Sequence, residues 1–212
     1  MDAIVGDHER ILVKQAKEWG EILLGFEARN RFELFDDDGD PIGFAAEEGG
    51  GFGAAIMRNI FGRCRKATYH VYDVEGEEVG RGEKPWSWFF HRMELFEFDE
   101  KIGAIQRRWG WFNRLFTVED AEGNELLTIK SPFFRIWTFK LLLGDKEVGR
   151  VSKKWGGLLK EAFSDADTFG VEFGHDDLPH EVKKLLVLSV FLIDLCHFEN
   201  NNSRGGGISF GD

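Results

Sequence analysis

Basic and aromatic residues occur together in this chain, although its overall charge is strongly negative. From Lys101 to Val118 the sequence carries Lys101, Arg107, Arg108 and Arg114 without an acid, and Trp109 and Trp111 fall among them. The arrangement is echoed further on: DEKIGAIQRRWGW from Asp99 matches DKEVGRVSKKWGG from Asp145, which sets Lys153 and Lys154 opposite Arg107 and Arg108 and Trp155 opposite Trp109. Lys160 follows in the same stretch. Cations beside indole rings suit an anionic headgroup, because the charge attracts the phosphate while the ring settles at headgroup depth. Trp86, Trp88, Phe89 and Phe90 form another aromatic group, suited either to an interfacial anchor or to a core. The basic residues would serve equally as a solvated face that balances the acidic N-terminal third.

Other chemistry is not evident. His91, His175, His180 and His197 have no local spacing with Cys or Ser that would pair a nucleophile with a base. Gly49-GGFG lacks the following Lys-Ser or Lys-Thr of a phosphate loop, so a surface loop is expected there. Cys64 and Cys196 are too few for a disulfide framework and lack metal-ligand spacing. With 38 Asp and Glu against 27 Lys and Arg, the net charge is -11. That disfavours general nucleic-acid binding, which depends on basic surface. The start MDAIVGDHERILVK has no continuous apolar stretch, so no secretory signal is expected and a cytoplasmic protein is the default.

These residues need a scaffold, and the sequence repeats one. An apolar residue, Asp, two residues, Gly, a short polar step and an aliphatic residue recur as Phe35-DDDGDPI, Tyr72-DVEGEEV and Val118-EDAEGNEL. Each lies between segments that alternate apolar and polar, and each reads as a β-hairpin whose Gly is left-handed. Phe98-DEKIG and Leu143-GDKEVG are tighter versions. Two strands per turn give about ten strands over residues 31–151, and Leu12–Lys17 and Phe169–Phe173 add one at each end. Closing such a sheet removes its edges, and about a dozen strands leave a lumen that side chains alone do not fill. The filler is the apolar run Lys183–Phe198, predicted as a helix over about 178–199 that includes Leu185, Phe191 and Asp194. The run is shorter than the roughly 20 residues of a membrane span, and Asp194 would be costly in hydrocarbon. Asp177 before Pro179 is the expected cap. One domain over 1–199 and a flexible tail over 200–212 complete the expectation.

GFEARNRFELFDDDGDPIGFAAEE and GRVSKKWGGLLKEAFSDADTFGVEF resemble the phospholipid scramblase family, whose domain is similar to the tubby C-terminal and LURP-one-related folds. In the latter block Trp155, Leu158, Glu161, Ala162, Phe163, Asp165, Ala166, Asp167, Phe169 and Gly170 carry the likeness. It implies a mainly β protein: a closed antiparallel barrel of about twelve strands around a central hydrophobic C-terminal helix. It also implies a calcium segment from Asp165 to Asp176. In that segment Asp165, Asp167 and Gly170 suit a calcium loop, Asp176 replaces the usual Glu, and Phe169 supplies no ligand oxygen. Asp165 and Asp167 would serve equally as caps for neighbouring amides. The chain is expected to depart from animal members in lacking a proline-rich N-terminal extension, and KPWSWFFHR from Lys84 stands where they carry palmitoylated cysteines.

The resemblance implies binding or translocation of phospholipid at a membrane, with Ca2+ as the one implied cofactor. Arg107, Arg108, Lys153 and Lys154 are the candidate headgroup ligands, and Asp165, Asp167 and Asp176 the candidate metal ligands. The alternative is a soluble cytoplasmic module that binds anionic lipid or a protein partner without transport. Peripheral attachment at a cytoplasmic face is the expectation, and insertion of the terminal helix its rival.

Overall fold

A computed structural model describes residues 1–16, 28–49, 64–134, 138–153, 168–174 and 178–197. A short helix α1 (Asp2–Val5) is followed by twelve strands: β1 (Arg10–Gln15), β2 (Ala28–Phe35), β3 (Pro41–Glu48), β4 (Ala67–Tyr72), β5 (Glu78–Lys84), β6 (Arg92–Glu97), β7 (Glu100–Arg108), β8 (Asn113–Asp120), β9 (Glu125–Pro132), β10 (Thr138–Leu143), β11 (Lys146–Ser152) and β12 (Thr168–Glu172). Helix α2 (His180–His197) ends the described chain. Every strand pairs antiparallel with its sequence neighbours, and β1 pairs with both β2 and β12, so the sheet is a closed barrel. The expected fold is borne out, including the strands added at either end.

The turns explain the regularity. In the connections β2–β3, β4–β5 and β8–β9, the carboxylates of Asp36, Asp73 and Asp120 accept hydrogen bonds from amides two to four residues on. Gly39, Gly76 and Gly123 complete these turns at φ 89, 87 and 93°. That is the left-handed conformation the spacing predicts. The β6–β7 turn differs, since its left-handed residues are Phe98 (φ 48°) and Asp99 (φ 65°) and no glycine takes part. Such a pair belongs in a two-residue hairpin turn that prefers Asn-Gly, and a bulky residue there is strained. Phe98 is 91% exposed, so its ring offers little compensation. Phe98→Asn is therefore expected to stabilise the protein by about 0.5–1 kcal/mol, read as a higher melting temperature.

A bulge follows each of these turns. The pairing skips one residue on the later strand at Ile42, Val79, Ile102, Leu126 and Val148, each of them the aliphatic residue that closes the hairpin pattern. A bulge increases local twist and bends the strand, which is what a sheet needs in order to close. Gly43, Gly80, Gly103 and Gly149 come directly after four of the bulges.

Inside the barrel, Leu185–Cys196 of α2 is buried throughout. The helix is apolar on every side because barrel wall surrounds it on every side. Its fit is local: a Cβ on Gly82 would come 2.3 Å from Leu188, and one on Gly103 would come 2.9 Å from Leu185. Phe191 stacks on Tyr69 at 5.1 Å and lies 5.0 Å from Phe32, centroid to centroid. Ion pairs fix the helix at both ends. Lys184 Nζ reaches Glu97 at 2.9 Å and Asp2 at 3.0 Å, while Asp194 lies 3.7 Å from Lys153 Nζ. Among the described residues no helix is long and apolar enough to cross a membrane. The cap expected at Asp177 lies outside the described residues; the first helical amide bond runs from Lys183 N–H to the Pro179 carbonyl at 3.1 Å.

Candidate functional site

The two ends of the barrel are built from different residues. At one end are the tight turns between β2 and β3, β4 and β5, β6 and β7, β8 and β9, and β10 and β11, with acids such as Asp36, Asp37, Asp38, Asp73, Glu75, Asp99, Asp120, Glu122 and Asp145. At the other end are the remaining connections, among them the longest in the chain, 49–66 between β3 and β4 and 153–167 between β11 and β12. Residues 85–91 between β5 and β6, 109–112 between β7 and β8, and 133–137 between β9 and β10 contain no acid. Their described parts present Trp86, Trp88, Phe89, Phe90, Trp109, Trp111, Phe112, Phe133 and Phe134 to solvent. Trp111, Phe112 and Phe134 are 80, 81 and 84% exposed, which rules out a core role for them. Edge-on pairs order the group: Trp86 with Trp88 at 4.9 Å and Trp109 with Trp111 at 6.1 Å. A continuous display of large rings on neighbouring loops is a mark of an interaction surface rather than of chance exposure.

Strand parity decides where the cations point. On β7 and β8, Ile105, Phe116 and Val118 are fully buried and face inward, so Arg107 and Arg114 share the inner side near the barrel mouth. Arg108 faces outward, with Nη2 2.6 Å from Glu119 Oε1 and Nε donating to Thr117 Oγ1 at 3.0 Å. Arg92 reaches the other oxygen of Glu119 at 2.6 Å. Lys153, immediately after β11, turns inward: its side chain is 6% exposed and its ammonium lies 4.2 Å from the Phe169 ring centroid. Arg107 and Lys153 thus line the inside of the wall and Arg108 the outside, so these three do not share one patch. Lys154, Trp155, Asp165, Asp167 and Asp176 lie outside the described residues. Among the described residues no cluster of His, Cys, Asp and Glu could hold a metal ion.

The mouth is lined by more polar groups. Arg65 pairs with Glu47 in a buried contact, and Glu47 also accepts from Asn30 at 2.7 Å and Tyr69 at 3.4 Å. Lys84, fully buried, donates to the carbonyls of Arg65 at 2.7 Å and Pro85 at 3.1 Å. The signal for Lys84 was present, since Gly80, Gly82 and Lys84 share the inward period of two. Phe112, Phe133 and Phe134 were missed as site residues, although no acid occurs between Leu126 and Gly144.

Electrostatics separate structural cations from available ones. Burial pushes the Glu119 carboxyl up, but hydrogen bonds from Arg92 and Thr117 and the charges of Arg92 and Arg108 outweigh it, and the group sits below the ordinary carboxylate range. A depressed carboxylate contributes stability above its unfolded-state pKa and loses it as pH falls through its folded value. Glu119→Gln is therefore expected to cost about 2 kcal/mol at neutral pH, since Arg92 and Arg108 keep some solvent contact. That difference should shrink as pH falls from the unfolded-state carboxylate value, about 4.3, through the depressed folded value of this group, as denaturant melts at neutral and acid pH would show. Burial, and next the charge of Arg107, lower the pKa of Arg114.

The comparisons with known proteins agree with one another. A family model described as Scramblase matches residues 2–200. The chain is 31% identical to phospholipid scramblase 1 of Homo sapiens over 92% of its own length and 65% of that protein's. It is 31% identical to phospholipid scramblase 2 of Homo sapiens, over 90% of this chain and 68% of that one. Against phospholipid scramblase family member 5 of Homo sapiens the identity is 27%, over 90% and 74%. The chain thus spans about two thirds of the length of the first two relatives. No solved structure matches it.

Proposed function

Because the chain belongs to the scramblase family, we propose that it acts on phospholipid at a membrane surface and meets the bilayer with the long-loop end of its barrel. The observation that carries this reading is the row of exposed rings on three neighbouring connections, Trp86–Phe90, Trp109–Phe112 and Phe133–Phe134. Rings of this kind favour headgroup depth, where an apolar body meets a hydrated surface. The acidic turns lie at the opposite end, so an anionic membrane repels that end and orients the loop end toward itself. Arg107 serves as a headgroup cation at the rim, and Lys154 is a further candidate; Arg108, on the outer side, is engaged by Glu119 and Thr117. Lys153 is held by Asp194 and the Phe169 ring, and its role is to lock α2 in the barrel.

Binding, rather than transport, is the primary act in this reading. Moving a headgroup through hydrocarbon needs a polar route, and α2 offers Asp194, which already faces Lys153. Attachment is peripheral, at a cytoplasmic face. Asp165, Asp167 and Asp176 would hold calcium, whose charge would offset the acidity of the chain at an anionic surface.

Vesicle flotation tests the reading. Flotation with phosphatidylserine-containing vesicles, and its absence with pure phosphatidylcholine, is the expected result. Protein that stays in the soluble fraction with both sinks the reading. A calcium-dependent increase that disappears in D165N/D167N would support the metal; equal flotation with calcium and with chelator would remove it.

A further inference from the structure

Arginines on this barrel are, as a rule, paired with carboxylates. Arg10 and Arg150 face Glu172, Arg65 faces Glu47, Arg81 faces Asp99 and Glu83, and Arg92 and Arg108 share Glu119. Arg107 and Arg114 depart from the rule: among the described residues, neither side chain makes an ion pair. In a chain of net charge -11 the departure is not for want of acids. The two are diagonal neighbours, because Arg107 pairs in register with Phe116 and Arg114 lies two residues nearer the mouth on the same inward side. Diagonal neighbours stand about 7–8 Å apart at Cα, within the reach of two guanidinium groups that hold one ion. Nη1 of Arg114 is buried and has no hydrogen-bond partner among the described residues. The guanidinium lies 5.7 Å from the Phe133 ring centroid, which limits its motion.

Two like charges side by side, one with an unsatisfied buried donor, are unfavourable when nothing lies between them. The forked donors of arginine match a tetrahedral oxyanion better than a single carbonyl or hydroxyl. We infer that Arg107 and Arg114 form a binding site for one phosphate group inside the long-loop mouth, with Trp109, Trp111 and Phe133 supplying an apolar rim for whatever the phosphate is esterified to. A phospholipid headgroup and free phosphate share this chemistry. Where the phosphate belongs to a lipid, the assignment rests on the membrane-docking reading above; where it is free, the site stands without that reading.

The test is thermal melting at constant ionic strength, with inorganic phosphate or the monomeric short-chain lipid dihexanoyl phosphatidic acid replacing chloride. The wild type is expected to gain about 3–6 °C at ten times Kd. Lys130→Gln, which removes an exposed charge on the outer wall of β9, should gain as much. R107Q/R114Q should lose the gain, and in chloride it should melt no lower than the wild type, because the empty site carries repulsion. Arg107→Gln alone keeps the test decisive if the double variant does not fold. A gain with inorganic phosphate means that any phosphate fits, and a gain with the lipid alone assigns the headgroup. No gain with either, or an equal gain in R107Q/R114Q, overturns the site. Replacing Trp88 and Phe134, which are exposed and lie outside this rim, should weaken vesicle docking and leave the phosphate response intact, so a failure of vesicle docking and a failure of this site give different results.

Discussion

Gly103→Val is expected to lower the melting temperature by about 6–12 °C, or to prevent folding. A Cβ at this position would stand 2.3 Å from the backbone oxygen of Glu119 on β8 and 2.9 Å from the Leu185 side chain on α2. Contacts that short cannot be absorbed by a rotamer change, because the closer obstacle is backbone. Either β7 moves away from β8 or α2 moves off the wall, and overpacking of this kind costs about 3 kcal/mol. In a chain of this length each kcal/mol is worth about 2–4 °C. The cause can be tested by comparison with Gly82, whose added Cβ would meet Leu188 at 2.3 Å and no backbone within 3.4 Å. Leu188→Ala should therefore rescue Gly82→Ala in part, whereas Leu185→Ala should leave Gly103→Val nearly as unstable as before. A loss under 2 °C in Gly103→Val would show that β8 and the helix do not crowd β7 as described.

Replacing Trp88, Trp111 and Phe134 together with Ser is expected to weaken binding to anionic vesicles by about a thousandfold, with the melting temperature nearly unchanged. Each side chain is mostly exposed, at 56, 80 and 84%, so its loss leaves no cavity in the core. Each would bury its ring at the headgroup level in the bound state, and burial of a large apolar side chain is worth about 1.5–3 kcal/mol. Three such losses exceed 4 kcal/mol even at the low end, which is a factor of about a thousand in partitioning. Sedimentation with vesicles across a lipid titration measures it. Unchanged partitioning in a variant that still melts with the wild type would mean that the long-loop end is not the docking surface.

Much of this architecture was legible in the residues. The repeated Asp and Gly of the turns set the hairpins at Phe35, Tyr72 and Val118, since an Asp that bonds forward amides and a Gly that tolerates positive φ admit few other conformations. Hairpin after hairpin, followed by one apolar run too short to span a bilayer, pointed to closure around a helix. The turn at Phe98 was read correctly as a hairpin, but its strained residue types could not be anticipated, because register decides which two residues occupy the corner.

The candidate site was less legible. Its aromatic component at Trp86–Phe90 and Trp109–Trp111 was visible as composition, yet exposure separates an anchor from a core and composition carries no exposure. Arg107, Arg108 and Lys153 were grouped by a linear echo. In the barrel Arg108 faces solvent while Arg107 and Lys153 face the lumen, because successive strand residues point to opposite sides of the wall.

The sequence by itself determined the class of structure and its local parts, because turns, alternation and an apolar run are short-range patterns that the chain writes out directly. Only the tertiary structure decided how the charges are matched. Glu119 serves Arg92 from β6 and Arg108 from β7, Lys153 just after β11 serves Asp194 on α2, and Arg107 and Arg114 meet across two strands with no acid between them among the described residues. Barrel closure brings these residues together from distant parts of the chain, and the energy of a charge depends on the neighbours that closure provides.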